Sequence, residues 1–248
     1  MTRSMWKAAL CGWMLGGAMA GQAAEFSVGR VDIRFADEGW KEVPLPDAAQ
    51  AYGGDKSGEL AVQAKLFVRE ADAAASPVMV LVSANSAGMG GGRGGYMTYS
   101  PNCKSDENNY REGNEGFTAS FLQCLTVLPR YSGASVIKAL APQLEGVLNT
   151  QASQMLPLYT VWSRHAISTG SFVDVRVFTV SPINADGEVA DGALPKRVPP
   201  AHVVWGRQLK DAVKSSVYSL SGRLDMPPIK LAPPPPPPSP QPAAGSSG

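Results

Sequence analysis

Strict period-two alternation constrains this chain more than any other feature. "FVDVRVFTV" sets Val173, Val175 and Val177 on one side of an extended backbone and Asp174 and Arg176 on the other. Side chains of a strand alternate between faces, so the pattern reads as a strand. "VDIRF" reads as a half-buried strand, with Val31, Ile33 and Phe35 inward and Asp32 and Arg34 outward. In "GELAVQAKLFV", Leu60, Val62, Ala64, Leu66 and Val68 share a face. "PVMVLVSA" is a continuous apolar run and suits a central strand covered on both sides. "FTASFLQCLTVL" and "LYTVWSRHAIS" are further strands. The compact "STGS" between the latter and "FVDVRVFTV" predicts a hairpin.

Two stretches switch to helical spacing. "SGASVIKALAPQLEGVLNT" places Val136, Ile137, Leu140, Leu144, Val147 and Leu148 on one stripe, with Ser132 or Ser135 available as a cap. Pro142 must kink or split this helix, because it removes one internal hydrogen bond and clashes with the preceding turn. In "VVWGRQLKDAVKSSVYSLSG", Trp205, Leu209, Ala212, Val213, Ser216 and Leu220 share a face, and Gly222 stands where a C-terminal cap would. The expected architecture is α+β: an antiparallel β-sheet packed by two amphipathic helices on one side.

The two ends differ in kind from this middle. "MTRSMWK" carries Arg3 and Lys7, a short uncharged run follows, and small residues close it at Ala20 and Ala24. A basic head, an apolar run too short to span a bilayer and a small-residue exit predict a cleaved secretory signal peptide. The tail holds six consecutive prolines, Pro233 to Pro238, and reads as an extended polyproline rod without a packed core. The expected division is a signal peptide over 1–24, a single α+β domain over 25–225 and a disordered, proline-rich tail over 226–248.

Loss of Arg3 and Lys7 takes the 22 basic residues to 20, against 21 acidic ones. A near-neutral chain lacks the single-sign field expected of a nucleic-acid binder, so no nucleic-acid partner is expected. No later segment is long and apolar enough to be a transmembrane helix. With Cys11 removed in the leader, Cys103 and Cys124 are an even pair in an oxidising compartment, which predicts one structural disulfide. Closing a loop of that size stabilises a chain by roughly 3 kcal/mol through the entropy of the unfolded state.

The glycine-rich stretch "AGMGGGRGGYMTYSPNC" satisfies G-x-G-x-x-G at Gly90, Gly92 and Gly95. It lacks the lysine of a phosphate-binding loop, and no helix is signalled after it, so it reads as slack chain and no cofactor is expected. The polar "KSDENNYREGNEGFTASFLQ" offers many oxygens, but Tyr110 and Arg111 interrupt the spacing of a calcium-binding loop, and no metal is expected. Arg93, Tyr96, Tyr99, Tyr110 and Arg111 form the candidate binding surface, since Tyr and Arg are enriched where proteins recognise partners. Only His165 and His202 supply imidazoles, and no nucleophile elbow or zinc-protease motif accompanies them. Trp40, Trp162 and Trp205 are assigned to core packing.

The order of elements resembles that of exported PsbP, Mog1 and DcrB-type domains. The likeness is carried by "FADEGWKEVPLP", by the helix-to-hairpin passage from Ser135 to Ser181, and by "WGRQLKDAVKSSVYSL". The insert from Ala87 to Gly116 and the cysteine pair depart from that pattern. The resemblance implies a non-catalytic binding or assembly role. The expectation is thus a periplasmic or secreted accessory protein, not an enzyme, with an envelope or secreted protein as partner. The alternatives are an exported hydrolase with a non-motif active site and an immunity-type inhibitor of a secreted toxin.

Overall fold

The strand with the strictest alternation lies in the middle of the molecule. The computed structural model of the chain describes residues 24–45, 62–69, 77–85, 103–114, 121–144, 156–167, 171–189 and 194–232. Seven antiparallel strands run in the order β3 (Trp40–Val43), β4 (Val62–Arg69), β5 (Val78–Asn85), β9 (Phe172–Thr179), β8 (Leu158–Ile167), β7 (Phe121–Tyr131) and β6 (Tyr110–Asn114). β8 and β9 pair as the expected hairpin, with Ile167 donating its amide to the Ser171 carbonyl at 2.9 Å. A smaller sheet joins β1 (Ala24–Val28) to β2 (Val31–Phe35), and β11 (Arg223–Met226) runs parallel to β2. The two-residue strands β10 (Ile183–Asn184) and β12 (Lys230–Leu231) pair antiparallel.

Two helices complete the α+β architecture, but they sit on opposite faces of the large sheet and not on one. Helix α2 (Pro200–Tyr218) buries Trp205, Leu209 and Val213 against Leu125, Val127, Val161, Val173, Val175 and Val177. The small sheet belongs to this same core through Val28, Val31, Ile33, Phe35, Leu224 and Met226. Helix α1 (Gly133–Leu140) packs Val136 and Ile137 with Leu66, Leu81, Leu158 and Phe178. The register explains the split. Leu81 lies opposite Arg176 and Met79 opposite Phe178, whereas Val80 faces Val177 and Val82 faces Val175. Neighbouring residues of one strand therefore feed different cores, and β5 and β9 are covered on both sides. All eight residues of β9 are buried, Asp174 and Arg176 included.

Pro142 acts as expected. Helix α1 stops at Leu140, Ala141 closes it by donating to the Ile137 carbonyl, and a single 3₁₀ turn follows over Pro142–Leu144. Ser132 occupies the N-cap position without a side-chain capping bond. Helix α2 begins earlier than its apolar stripe, at Pro200, where a proline costs no intrahelical bond. It ends at Tyr218, so Leu220 lies beyond it and is fully exposed instead of sharing the buried stripe. Gly222 is not its cap. With φ of +65° it turns the chain into β11, donating to the Ser219 carbonyl and accepting from the Asp32 amide. A Cβ there would stand 2.2 Å from the Arg30 carbonyl oxygen, so only glycine fits both the angle and the space.

The folded unit also runs further than the expected boundary at 225. Met226 and Ile229 are buried in the α2 core, Trp205 donates its indole N–H to the Pro228 carbonyl at 2.9 Å, and Arg69 reaches the Ile229 carbonyl at 2.7 Å. Asp37 accepts from the Ile229 amide at 3.1 Å and from Arg69 at 2.6 Å, which ties this segment to the start of β3. The prolines from 233 onward, residues 1–23 of the expected signal peptide and the glycine-rich stretch over 86–100 lie outside the described residues. None of the described helices is long and apolar enough to cross a membrane.

Candidate interaction surface

The expected disulfide is present: Cys103 and Cys124 are bonded, with their Cα atoms 5.8 Å apart. It lies at the β6 edge of the large sheet. Between the two cysteines the chain makes a tight turn, because the Asp106 carboxylate accepts from the amides of Asn108 and Asn109, each at 2.8 Å, and from the Asn109 side chain at 3.0 Å. Aspartate favours such turns by standing in for a backbone carbonyl. These bonds, led by that from the Asn109 side chain, hold the Asp106 carboxyl below its ordinary range. Its oxygens are thus occupied by amide donors, and among the described residues no group of three metal-ligating side chains forms.

Tyr110 and Arg111 begin β6, which pairs with β7 from Tyr110 opposite Val127 to Asn114 opposite Gln123. Adjacent strand residues point to opposite faces. Tyr110 lies on the α2 side, where its hydroxyl donates to Glu112 at 2.5 Å and accepts from Arg207 at 2.9 Å. Arg111 lies on the α1 side, 3.7 Å from Asp106. The two residues are neighbours but do not make one patch. Arg93, Tyr96 and Tyr99 lie outside the described residues.

Glu112 is the hub of this edge. It bonds Lys210 and accepts from Arg207 at 2.8 Å, both on α2, besides accepting from Tyr110. Burial works to raise its carboxyl, but hydrogen bonds from Lys210, Tyr110 and Arg207 outweigh that and bring it down to about 2. The Tyr110 phenol is pushed up, first by burial and then by the carboxylate beside it. Arg207 and Lys210 were not legible as site residues, because nothing in "WGRQLKDAVKSS" indicates that this helix face meets the sheet edge.

A second polar group lies under the α1 side of the sheet. Asp174 accepts from Arg164 Nε at 2.6 Å, Arg176 Nε at 2.9 Å and Trp162 Nε1 at 2.9 Å. Both guanidiniums lie against the same indole, 4.7 and 4.8 Å from its centroid. Burial acts to raise the Asp174 carboxyl, and the charges of Arg176 and Arg164 hold it down. Trp162 therefore serves a charge cluster, while Trp40 stacks on Phe35 at 4.1 Å and Trp205 is core, as expected.

Neither imidazole has a serine or carboxylate within hydrogen-bond reach among the described residues. His165 is fully buried between Phe121 and Tyr218 with both nitrogens unpartnered. His202 lies in the first turn of α2, stacks on Tyr159 at 4.9 Å and accepts from the Ile183 amide at 3.3 Å. Burial lowers each to about 4, with the nearby Lys214 adding to the effect at His165. Comparison with known protein families, with curated proteins and with solved structures finds no match to the chain.

Proposed function

We propose that the chain is an exported accessory protein of the periplasm or extracellular space, which binds an envelope or secreted protein through the surface around β6. The observation that carries this reading is the bonded Cys103–Cys124 pair, which ties the polar turn preceding Tyr110 and Arg111 to the neighbouring strand β7. Stable disulfides belong to oxidising compartments, and the basic, apolar, small-residue leader directs the chain to one. Recognition residues at the edge of a sheet and in the turn beside it suit binding, since less ordering entropy is lost on contact. The layout likeness to PsbP, Mog1 and DcrB-type domains points toward the same kind of accessory role.

The test is site-specific crosslinking. A photoreactive side chain at Glu107, exposed in the turn, is compared with one at Arg223 on the small sheet. Both proteins are expressed with their leader and irradiated in intact cells. A discrete crosslinked band from position 107 and none from 223 supports the reading. No band from 107, or equal smears from both, removes the β6 surface as the contact.

A further inference from the structure

Among the described residues the outer side of β6 is an edge of the large sheet, and such edges attract further strands. In an antiparallel pair, alternate residues turn both backbone polar groups toward the same neighbour. The Arg111 amide and carbonyl are turned away from β7, because both meet the Ser105 hydroxyl: it accepts from the Arg111 N–H at 2.9 Å and donates to the Arg111 carbonyl at 2.9 Å. One serine side chain thus occupies the groups to which another strand would bond. Two positions along, Cys103 lies beside Gly113, its sulfur 2.8 Å from where a Cβ on that residue would stand. Residues 103–105 run antiparallel to β6 with Ser105 next to Arg111 and Cys103 next to Gly113, and the Asp106 turn connects the two. The disulfide crosses Gly113 to reach β7, where Cys124 is the residue opposite that glycine.

Besides the disulfide, the strap has only polar contacts: Tyr131 donates to Asn109 at 3.4 Å and Asp106 lies 3.7 Å from Arg111. Lys104, Ser105, Asp106, Glu107 and Asn108 are exposed, and the segment buries only the Cys103 side chain. We propose that Cys103–Asn109 is an oxidation-dependent guard of the β6 edge. With the disulfide formed, the strap is pinned and Ser105 covers Arg111. A dithiol reductant cleaves the S–S bond, delivers two electrons and two protons to give the Cys103 and Cys124 thiols, and is itself oxidised to a cyclic disulfide. The strap then loses its covalent tie to β7, keeps only the polar contacts of Asp106 and Asn109, and leaves the Arg111 N–H and C=O open to strand addition.

Amide exchange followed by NMR on the full mature chain tests this, with and without dithiothreitol. In the oxidised protein the Arg111 amide is expected to exchange at least about a hundredfold more slowly than an unstructured amide, despite its edge position. In the reduced protein it should exchange within about threefold of the unstructured rate, while Val161 in the core remains protected by about a thousandfold or more. An Arg111 amide that keeps its protection after reduction, or that is unprotected in the oxidised protein, overturns the proposal. If reduction unfolds the chain, so that Val161 loses protection as well, the decision passes to Ser105→Ala with the disulfide intact. A drop of about tenfold or more at Arg111 with Val161 unchanged then supports the guard, and an unchanged Arg111 overturns it.

Discussion

The two sides of β9 solve the same problem with different chemistry. Val173, Val175 and Val177 enter an apolar core under α2, while Asp174 and Arg176 on the other side are buried in a charge cluster with Arg164 and Trp162. On the valine side each residue contributes in proportion to the area it removes from water, about 25 cal/mol per Å². On the charged side the contribution is conditional. Guanidinium and carboxylate lose hydration on burial, and their mutual attraction offsets that only while the geometry is complete. The apolar side should therefore tolerate damage gradually, and the charged side should fail when one member is removed.

The largest expected effect tests that contrast directly. Asp174→Ala removes the carboxylate shared by two buried guanidiniums and should cost about 4 kcal/mol in urea denaturation, against about 2 kcal/mol for Val175→Ala on the opposite side. Equal losses would erase the distinction. Next comes truncation after Met226. It removes buried Ile229 and the partners of Trp205, Arg69 and Asp37, and should cost about 3 kcal/mol by the same measurement. A truncated chain as stable as the intact one would show that the α2 core does not need this segment.

Acid should strike the apolar side before the β6 edge. His165 and His202 are each lowered to about 4 by burial, so the unfolded chain takes up protons that the folded chain refuses. Stability is then complete above about pH 6.5 and falls as pH drops toward 4, by roughly 2 kcal/mol per histidine. Lys214 on α2 adds a like charge near His165, so His165→Phe should flatten the loss between pH 7 and 4.5 by about 2 kcal/mol in paired denaturation curves. An unchanged slope would mean that His165 is hydrated in the folded state. The smallest effect is expected at Glu112, which is about a third exposed. Glu112→Gln should cost about 1 kcal/mol at pH 7 after allowance for solvent screening, and the difference should vanish as pH falls from 4.5 through 2. A difference that persists below pH 2 would assign the effect to shape and not to charge.

Much of the scaffold was legible from local pattern. The strands at Val31–Phe35, Val78–Asn85 and Phe172–Thr179, the helix broken at Pro142 and the cysteine pair were each read from residues close together in the chain. What the local pattern left open has one cause. "VDVRV" has the same alternation whether Asp174 and Arg176 face water or each other, because alternation reports which side differs, not what covers it. "MPPIKLA" looks like the start of a loose tail until Trp205, Asp37 and Arg69 supply its partners. Residue type groups Tyr110 with Arg111 as recognition residues, but strand geometry sends the two to opposite faces.

By itself the sequence determined the period of each element and the turns that punctuate them, because those depend on neighbouring residues, and it pointed to the Cys103–Cys124 pairing. Tertiary structure alone decided that the helices take opposite faces, that two arginines share one aspartate, and that Ser105 lies against the edge of β6. Those outcomes depend on strand order and register, which bring together residues as far apart as Glu112 and Lys210, and no local pattern encodes such distances.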